Sequence, residues 1–224
     1  MKNHKKAMVL GIGLAMSAAS GLASAQDWSG MYGGVNLSQN EFGFQSRSYY
    51  GDFFGKDNAL GLGLTGGYNI RNGSAVYGVE VDLNVGDFSS SAAPGVRSNE
   101  YYHQEAEWSW LSTVRARAGL AVENTLLYVT AGIAAADTDY KYCDNGATAC
   151  NDGDSDNAFS DGIDFGIAYG FGVEVAQSDA MTVRLEVMKV SLQQQKPARI
   201  GDADYPAAFS SDLTAIRLGA NWRF

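Results

Sequence analysis

Histidine and cysteine are almost absent: the 224 residues hold two of each. Past the first 25 residues His103 is the one histidine, and its surroundings, YYHQEAEW, set no serine at a suggestive spacing. A Ser-His-acid nucleophile relay is therefore not indicated, and the expectation is that the chain is not an enzyme. Cys143 and Cys150 lack the further His or Cys ligands that a tetrahedral zinc site needs. Basic residues are also in short supply, 16 Lys and Arg against 25 Asp and Glu for a formal charge of −9. A nucleic-acid or anionic-lipid footprint needs clustered excess base, so no nucleic-acid partner is expected. Finally, no apolar run after residue 25 has the length of a spanning helix.

The start of the chain is different. MKNHKKAMVLGIGLAMSAASGLASA places Lys2, Lys5 and Lys6 before an apolar stretch and ends in Ala23-Ser24-Ala25. Basic, apolar and small-x-small segments in that order read as a secretory signal peptide over residues 1–25, leaving one domain over 26–224. It carries three of the 16 bases and none of the acids, so the exported part is more acidic still. In an exported chain, Cys143 and Cys150 read as a local disulfide.

What fills the chain instead of helices is a period of two. In GIDFGIAYGFGVEV the odd positions from Ile163 to Val175 are apolar or aromatic, while the even positions from Gly162 to Glu174 are glycine, alanine or acid. A strand puts alternate side chains on opposite faces, so one face here is greasy and the other small or charged. Eight such runs recur: Met31 to Leu37, Leu60 to Ile70, Ala75 to Val85, Trp108 to Leu120, Leu127 to Ala135, Ile163 to Val175, Met181 to Val187 and Ile216 to Phe224. Tight links at Asn72-Gly73, Glu123-Asn124 and Ser178-Asp179 alternate with four long polar loops. That alternation predicts an all-β, eight-stranded antiparallel up-and-down barrel with short turns at one rim. If the apolar face closed inward, the glycines outside would have no purpose. With lipid outside, they make a narrow interior packable, which predicts a transmembrane β-barrel.

Parity then assigns the interior. Arg115, Arg117, Arg184, Arg217 and Arg223 share the inward face with Glu80, Asp82, Glu107, Glu174 and Glu186. Guanidinium forks suit carboxylates, so a paired network plugging the lumen is expected. Trp28, Tyr68, Trp108, Trp110, Trp222 and Phe224 fall near strand ends, as interfacial aromatics do. Lys189 breaks the apolar parity of its strand and is expected above the membrane, at the head groups or on a bulge. In the third loop Asp152, Asp154 and Asp156 match the first positions of a calcium loop. Asn157 and Ile163 stand where Gly and Glu are wanted, leaving a weak metal candidate beside a solvated acidic loop.

Four stretches carry a resemblance: DWSGMYGGVNL at Asp27 to Leu37, GGYNIRNGSAVYGVEVDLN at Gly66 to Asn84, SWLSTVRARAGLAVENTLLYVTAGIA at Ser109 to Ala134, and RLGANWRF at Arg217 to Phe224. Together they resemble the small outer-membrane barrels of alphaproteobacteria, grouped with the porin family and similar to the OmpA barrel domain. That group includes surface antigens and haemin-binding proteins. The resemblance implies a bacterial outer-membrane location with both termini periplasmic. It also implies lipid and lipopolysaccharide as surroundings, and an extracellular partner at the loops. Arg217, Gly219, Trp222 and Phe224 resemble the signal read by the barrel-assembly machinery. With strand eight ending at Phe224, no peptidoglycan-anchoring domain is expected. No cofactor is expected; haem would need ligands such as Tyr or His103. Two functions remain: a structural, surface-contacting protein, or a porin-like channel or haemin-binding transporter. The first is favoured because eight strands leave an interior that side chains fill.

Overall fold

The computed structural model describes residues 26–48, 51–92, 102–144, 158–193, 198–199 and 206–224. The signal segment 1–25, Cys150, Asp152, Asp154, Asp156, and the side chains of Cys143 and His103 lie outside the described residues. The strands are β1 Gly30–Ser48, β2 Gly51–Asn72, β3 Ala75–Ala92, β4 Tyr102–Val122, β5 Thr125–Asp144, β6 Ala158–Ala176, β7 Met181–Gln193, the two-residue β8 Ala198–Arg199, and β9 Pro206–Arg223. Each long strand pairs antiparallel with the next, and β1 pairs with β9, so eight long strands close a barrel around its whole circumference at the level of the apolar belt. Such closure satisfies backbone groups where no water can.

One rim holds the tight connections. Asn72 and Ala75 pair across Gly73-Ser74, and Gly73 takes φ +62, a left-handed conformation that glycine adopts at no steric cost. Glu123 takes φ 53 in the β4–β5 turn. The last residue meets the start of β1 at this rim, where the Phe224 amide donates to Met31 O (3.1 Å).

The outer face answers which side meets lipid. Val35, Leu37, Leu60, Leu62, Leu64, Val79, Val81, Leu83, Val129, Ile133, Ile167 and Phe171 all point out and are exposed, Leu62 by 63%. A water-soluble protein rarely exposes a continuous apolar belt of this size. On β3 the belt runs from Tyr77 to Val85, eight steps of roughly 3.4 Å. A strand tilt of about 40° makes that roughly 20 Å of height, near the ~25 Å band of outer-membrane barrels.

The strands are far longer than their lipid-facing periods, up to 22 residues in β2. Much of the four expected long loops is therefore strand. Above the belt the outward positions turn polar, with Glu41, Asp87, Glu107, Asp139 and Asp212, so the greasy alternation stops while the ladder continues. Among the described residues, this upper part of the wall is two four-stranded ladders. The β2–β3 pairing ends at Gly61↔Gly86 and the β6–β7 pairing at Phe165↔Gln193. The ladders β7-β9-β1-β2 and β3-β4-β5-β6 run on. Their inner faces share an apolar core that includes Phe42, Phe44, Met188, Val190, Leu192 and Leu213 from one side and Phe88, Trp108, Leu111 and Tyr140 from the other. Inward-facing apolar residues of two sheets interdigitate here as in a sandwich. The interior is thus not polar throughout, as the sequence suggested; its upper half is a hydrophobic core.

Candidate functional site

Three layers fill the lumen. At the tight-turn rim Trp28, Val76, Ala121, Leu126 and Tyr128 form a small apolar floor. Trp28 therefore lies inside the barrel rather than in an interfacial girdle. Outside the spanning segments at this rim, the Ser29 amide donates to Asp27 (2.9 Å) and holds its carboxyl below the usual range.

Over the floor sits the first ion pair. Arg117 pairs with Glu174, which also accepts from Thr182 and from Asn221 Nδ2 (3.0 Å). The Arg117 guanidinium lies 3.8 Å from the centre of the Tyr128 ring, a cation–π contact. Glycines make this stacking possible. A Cβ at Gly67 would stand 2.4 Å from Tyr32 Cζ, and one at Gly172 would stand 2.5 Å from the Tyr128 hydroxyl. The glycine face of the strands is the space that these side chains occupy.

The central layer joins Arg115 of β4, Arg184 of β7 and Arg217 of β9 to Glu80 and Asp82 of β3 and Glu186 of β7. Asp82 accepts from Arg115 Nη2 and Arg217 Nη2 (both 2.6 Å), and from the Thr65 hydroxyl (2.6 Å). Glu80 accepts from Arg115 Nη2 (2.5 Å), Arg184 Nη1 (2.6 Å) and Tyr32 (2.8 Å). Glu186 pairs with Arg115 and accepts from Tyr128 (3.0 Å). Arg184 Nη2 also donates to Thr65 (2.7 Å), whose hydroxyl in turn donates to Asp82. All six side chains of this layer have no exposed area, and their charges balance three against three. Buried charge is tolerated when it is paired and hydrogen-bonded, and here every guanidinium is paired through its Nη atoms, while the buried Nε groups of Arg115 and Arg184 find no hydrogen-bond partner.

Above it, the apolar core closes the bore. Phe42 and Trp108 meet edge to face at 4.9 Å. Trp108 Nε1 donates to Ser211 on the diametrically opposite strand (3.2 Å), and the Tyr140 hydroxyl lies 2.9 Å from the same oxygen. Periodicity missed this layer because Phe42, Phe44 and Phe88 sit in stretches whose outward neighbours are polar.

Two interior assignments need correction. Glu107 is exposed on the outer face, and Trp108 points in. The register shifts between Trp108 and Trp110 against both neighbouring strands, so a β-bulge at Ser109 inverts the parity above it. Arg223 keeps inward parity but lies half-exposed at the tight-turn rim, donating to the Asp179 carbonyl rather than joining the network. Of the terminal residues, Arg217 and Gly219 face the lumen, whereas Trp222 and Phe224 project outward at the rim. Lys189 is half-buried on the outer face, one outward position above Val187 and beside Thr214, at the upper border of the apolar belt. Among the described residues no group of three or more His, Cys, Asp or Glu is placed to hold a metal ion.

The comparisons agree with this architecture. Residues 8–224 match the family model described as the outer membrane protein beta-barrel domain. The 22 kDa outer membrane protein of Rhizobium leguminosarum bv. viciae is 30% identical over 89% of this chain and 80% of its own length. The 31 kDa outer-membrane immunogenic protein of Brucella melitensis is 26% identical over 72% of this chain and 65% of its own length. Among solved structures, the outer membrane protease OmpT of Escherichia coli covers 87% of this chain and 96% of its own with a TM-score of 0.56 at 8% identity, a likeness of fold alone. An eight-stranded closed wall, an outward apolar belt and a match along nearly the whole sequence lead to one conclusion: the chain belongs to the outer membrane protein β-barrel domain family, among the small barrels of alphaproteobacteria.

Proposed function

We propose that this outer-membrane barrel is a closed structural element displayed at the cell surface, serving envelope integrity and contact with the exterior rather than solute passage. The observation that carries this reading is the filled bore: a balanced layer of six buried charged side chains beneath a core in which Trp108 reaches Ser211 across the full diameter. A conducting path would have to break several charge-assisted bonds at once and also pass an apolar constriction. The tight-turn rim, with both termini, faces the periplasm, and the long strand ends with their connections face outward into lipopolysaccharide and beyond. Arg217, Gly219, Trp222 and Phe224 serve the barrel-assembly machinery during insertion. The immunogenic name of the Brucella relative supports surface display. Planar-bilayer recording of the purified monomer tests the reading. No stable open level is expected, and a steady, large, wild-type conductance would overturn it in favour of a porin-like channel.

A further inference from the structure

The residues that follow Ala25 are pinned one by one at the tight-turn rim. Arg71 Nη1 donates to the main-chain carbonyl of Gln26. The Ser29 amide donates to Asp27 (2.9 Å), Trp28 is buried in the apolar floor, and the Ser29 hydroxyl accepts from the Arg71 amide (3.1 Å). The end of a chain is poorly ordered unless something ties it down, and here each residue from Gln26 to Ser29 is tied. The Gln26 side chain is held as well. With its oxygen turned to the guanidinium, as a donor-only group requires, it accepts from Arg223 Nη1 (2.9 Å) and from Nη2. Arg223 is itself fixed at the closing seam, opposite Tyr32 of β1 and donating to the Asp179 carbonyl.

Cleavage after Ala25, the reading given to residues 1–25, leaves the amine of Gln26 as the first nitrogen of the exported chain. That amine and the side-chain amide carbon belong to one residue, so attack of the first on the second closes a small unstrained lactam without any encounter step. A guanidinium fork on the amide oxygen is the arrangement that takes up negative charge as the amine adds. An ammonium at residue 26 would also add positive charge beside Arg71 and Arg223, offset only in part by Asp27, which both guanidiniums face. The lactam is neutral.

We propose that Gln26 cyclises to a pyroglutamyl residue in the folded barrel, with Arg223 as the group that activates its amide. Nα of Gln26 adds to its own Cδ, the charge developing on Oε1 is taken up by Arg223, and the Cδ–Nε2 bond breaks. The hydrogen lost from the amine leaves on Nε2, so ammonia is the other product and no oxidant or co-reactant is needed. The product keeps both acceptors, the ring oxygen on Arg223 and the main-chain carbonyl on Arg71. It leaves no free amine where β1 meets β9, and its ring fixes φ as proline does. The inference rests on the secretory-signal reading and is independent of whether the lumen conducts.

Intact-mass measurement on barrel from freshly prepared cell envelopes is the first test. The chain is expected to start at residue 26 and to be lighter than its sequence by one ammonia, about 17 Da. A different first residue, or a free amine on Gln26, would overturn the proposal. The second test is a rate. Chain 26–224 is kept in acidic urea and then moved to neutral pH, either folded into micelles or still in urea. Ammonia loss should be roughly tenfold or more faster in the folded barrel. Arg223→Met should return it to the rate of the unfolded chain, and Glu123→Gln, at a turn of the same rim, should leave it unchanged. Equal rates in folded and unfolded wild-type chains, or full speed in Arg223→Met, would remove the role of the site. Each variant must keep the wild-type migration on unheated gels, and the wild-type comparison decides the matter even where a variant does not fold.

Discussion

Arg184 gives the sharpest test of the central layer. Its guanidinium reaches Glu80 at 2.6 Å and Thr65 at 2.7 Å, with Asp82 at 3.5 Å, and the side chain has no exposed area. Replacing it by Met keeps most of the volume and leaves two cations, Arg115 and Arg217, facing three carboxylates. Glu80 would retain Arg115 at 2.5 Å and Tyr32 at 2.8 Å, so the stranded charge is shared rather than isolated. Removing one partner of a buried pair costs about 3 to 5 kcal/mol, and sharing places the expectation near 3. Adding Glu80→Gln restores balance, two against two. The double variant should therefore be more stable than Arg184→Met alone, by about 1 to 2 kcal/mol, a non-additivity of the kind seen between contacting residues. Urea unfolding of the barrel in lipid vesicles, followed by tryptophan fluorescence, reads the midpoints at constant slope. A single-variant loss below about 1 kcal/mol, the value of a solvated pair, or a double variant equal to the sum of the singles, would refute the reasoning.

Other expectations concern space and parity. Gly67→Ala should destabilise by about 1 to 3 kcal/mol because its Cβ meets Tyr32 at 2.4 Å, while Gly66→Ala, whose Cβ would stand 3.9 Å from Tyr32 O, should be near neutral in the same urea assay. Trp108→Ala should cost about 3 to 5 kcal/mol by emptying the upper core, and its neighbour Glu107→Ala should stay within about 0.5 kcal/mol. The reverse order would mean that β4 carries no parity inversion at Ser109. Unheated protein should migrate differently from boiled protein on denaturing gels, since a closed wall unfolds slowly in detergent; identical migration would count against closure.

The lower half of this barrel was legible in sequence because two solvents write one rule there. Lipid demands apolar residues at Tyr77, Val79, Val81 and Leu83, and a crowded bore demands Gly78, Glu80, Asp82 and Asn84 between them, so a period of two survives at full contrast. Above the lipid the contrast fades without the strand ending. On β1, Glu41, Gly43 and Gln45 face water while Phe42 and Phe44 enter the core, and three small or polar outward residues read as loop. Strand length was therefore underestimated on one side only, the side where the ladder outlives the membrane.

For the lumen, parity placed eight of the ten charged side chains, and the two exceptions have separate causes. Arg223 fails by height, since parity says which way a residue points and nothing about whether its level is buried. Glu107 fails by register. A bulge is one inserted residue, and the segment WSWLS carries no glycine or proline to announce it, so only the ladders on both sides of Ser109 reveal the slip. That slip joins the two halves of the molecule. It turns Trp108 into the bore at the level of Phe42 and Ser211, and it turns Glu107 out beside Ser89. Had β4 kept its parity, a carboxylate would sit in the apolar core and an indole would face the polar outer surface. The same inserted residue thus lets an indole fill the upper lumen and keeps a carboxylate out of it.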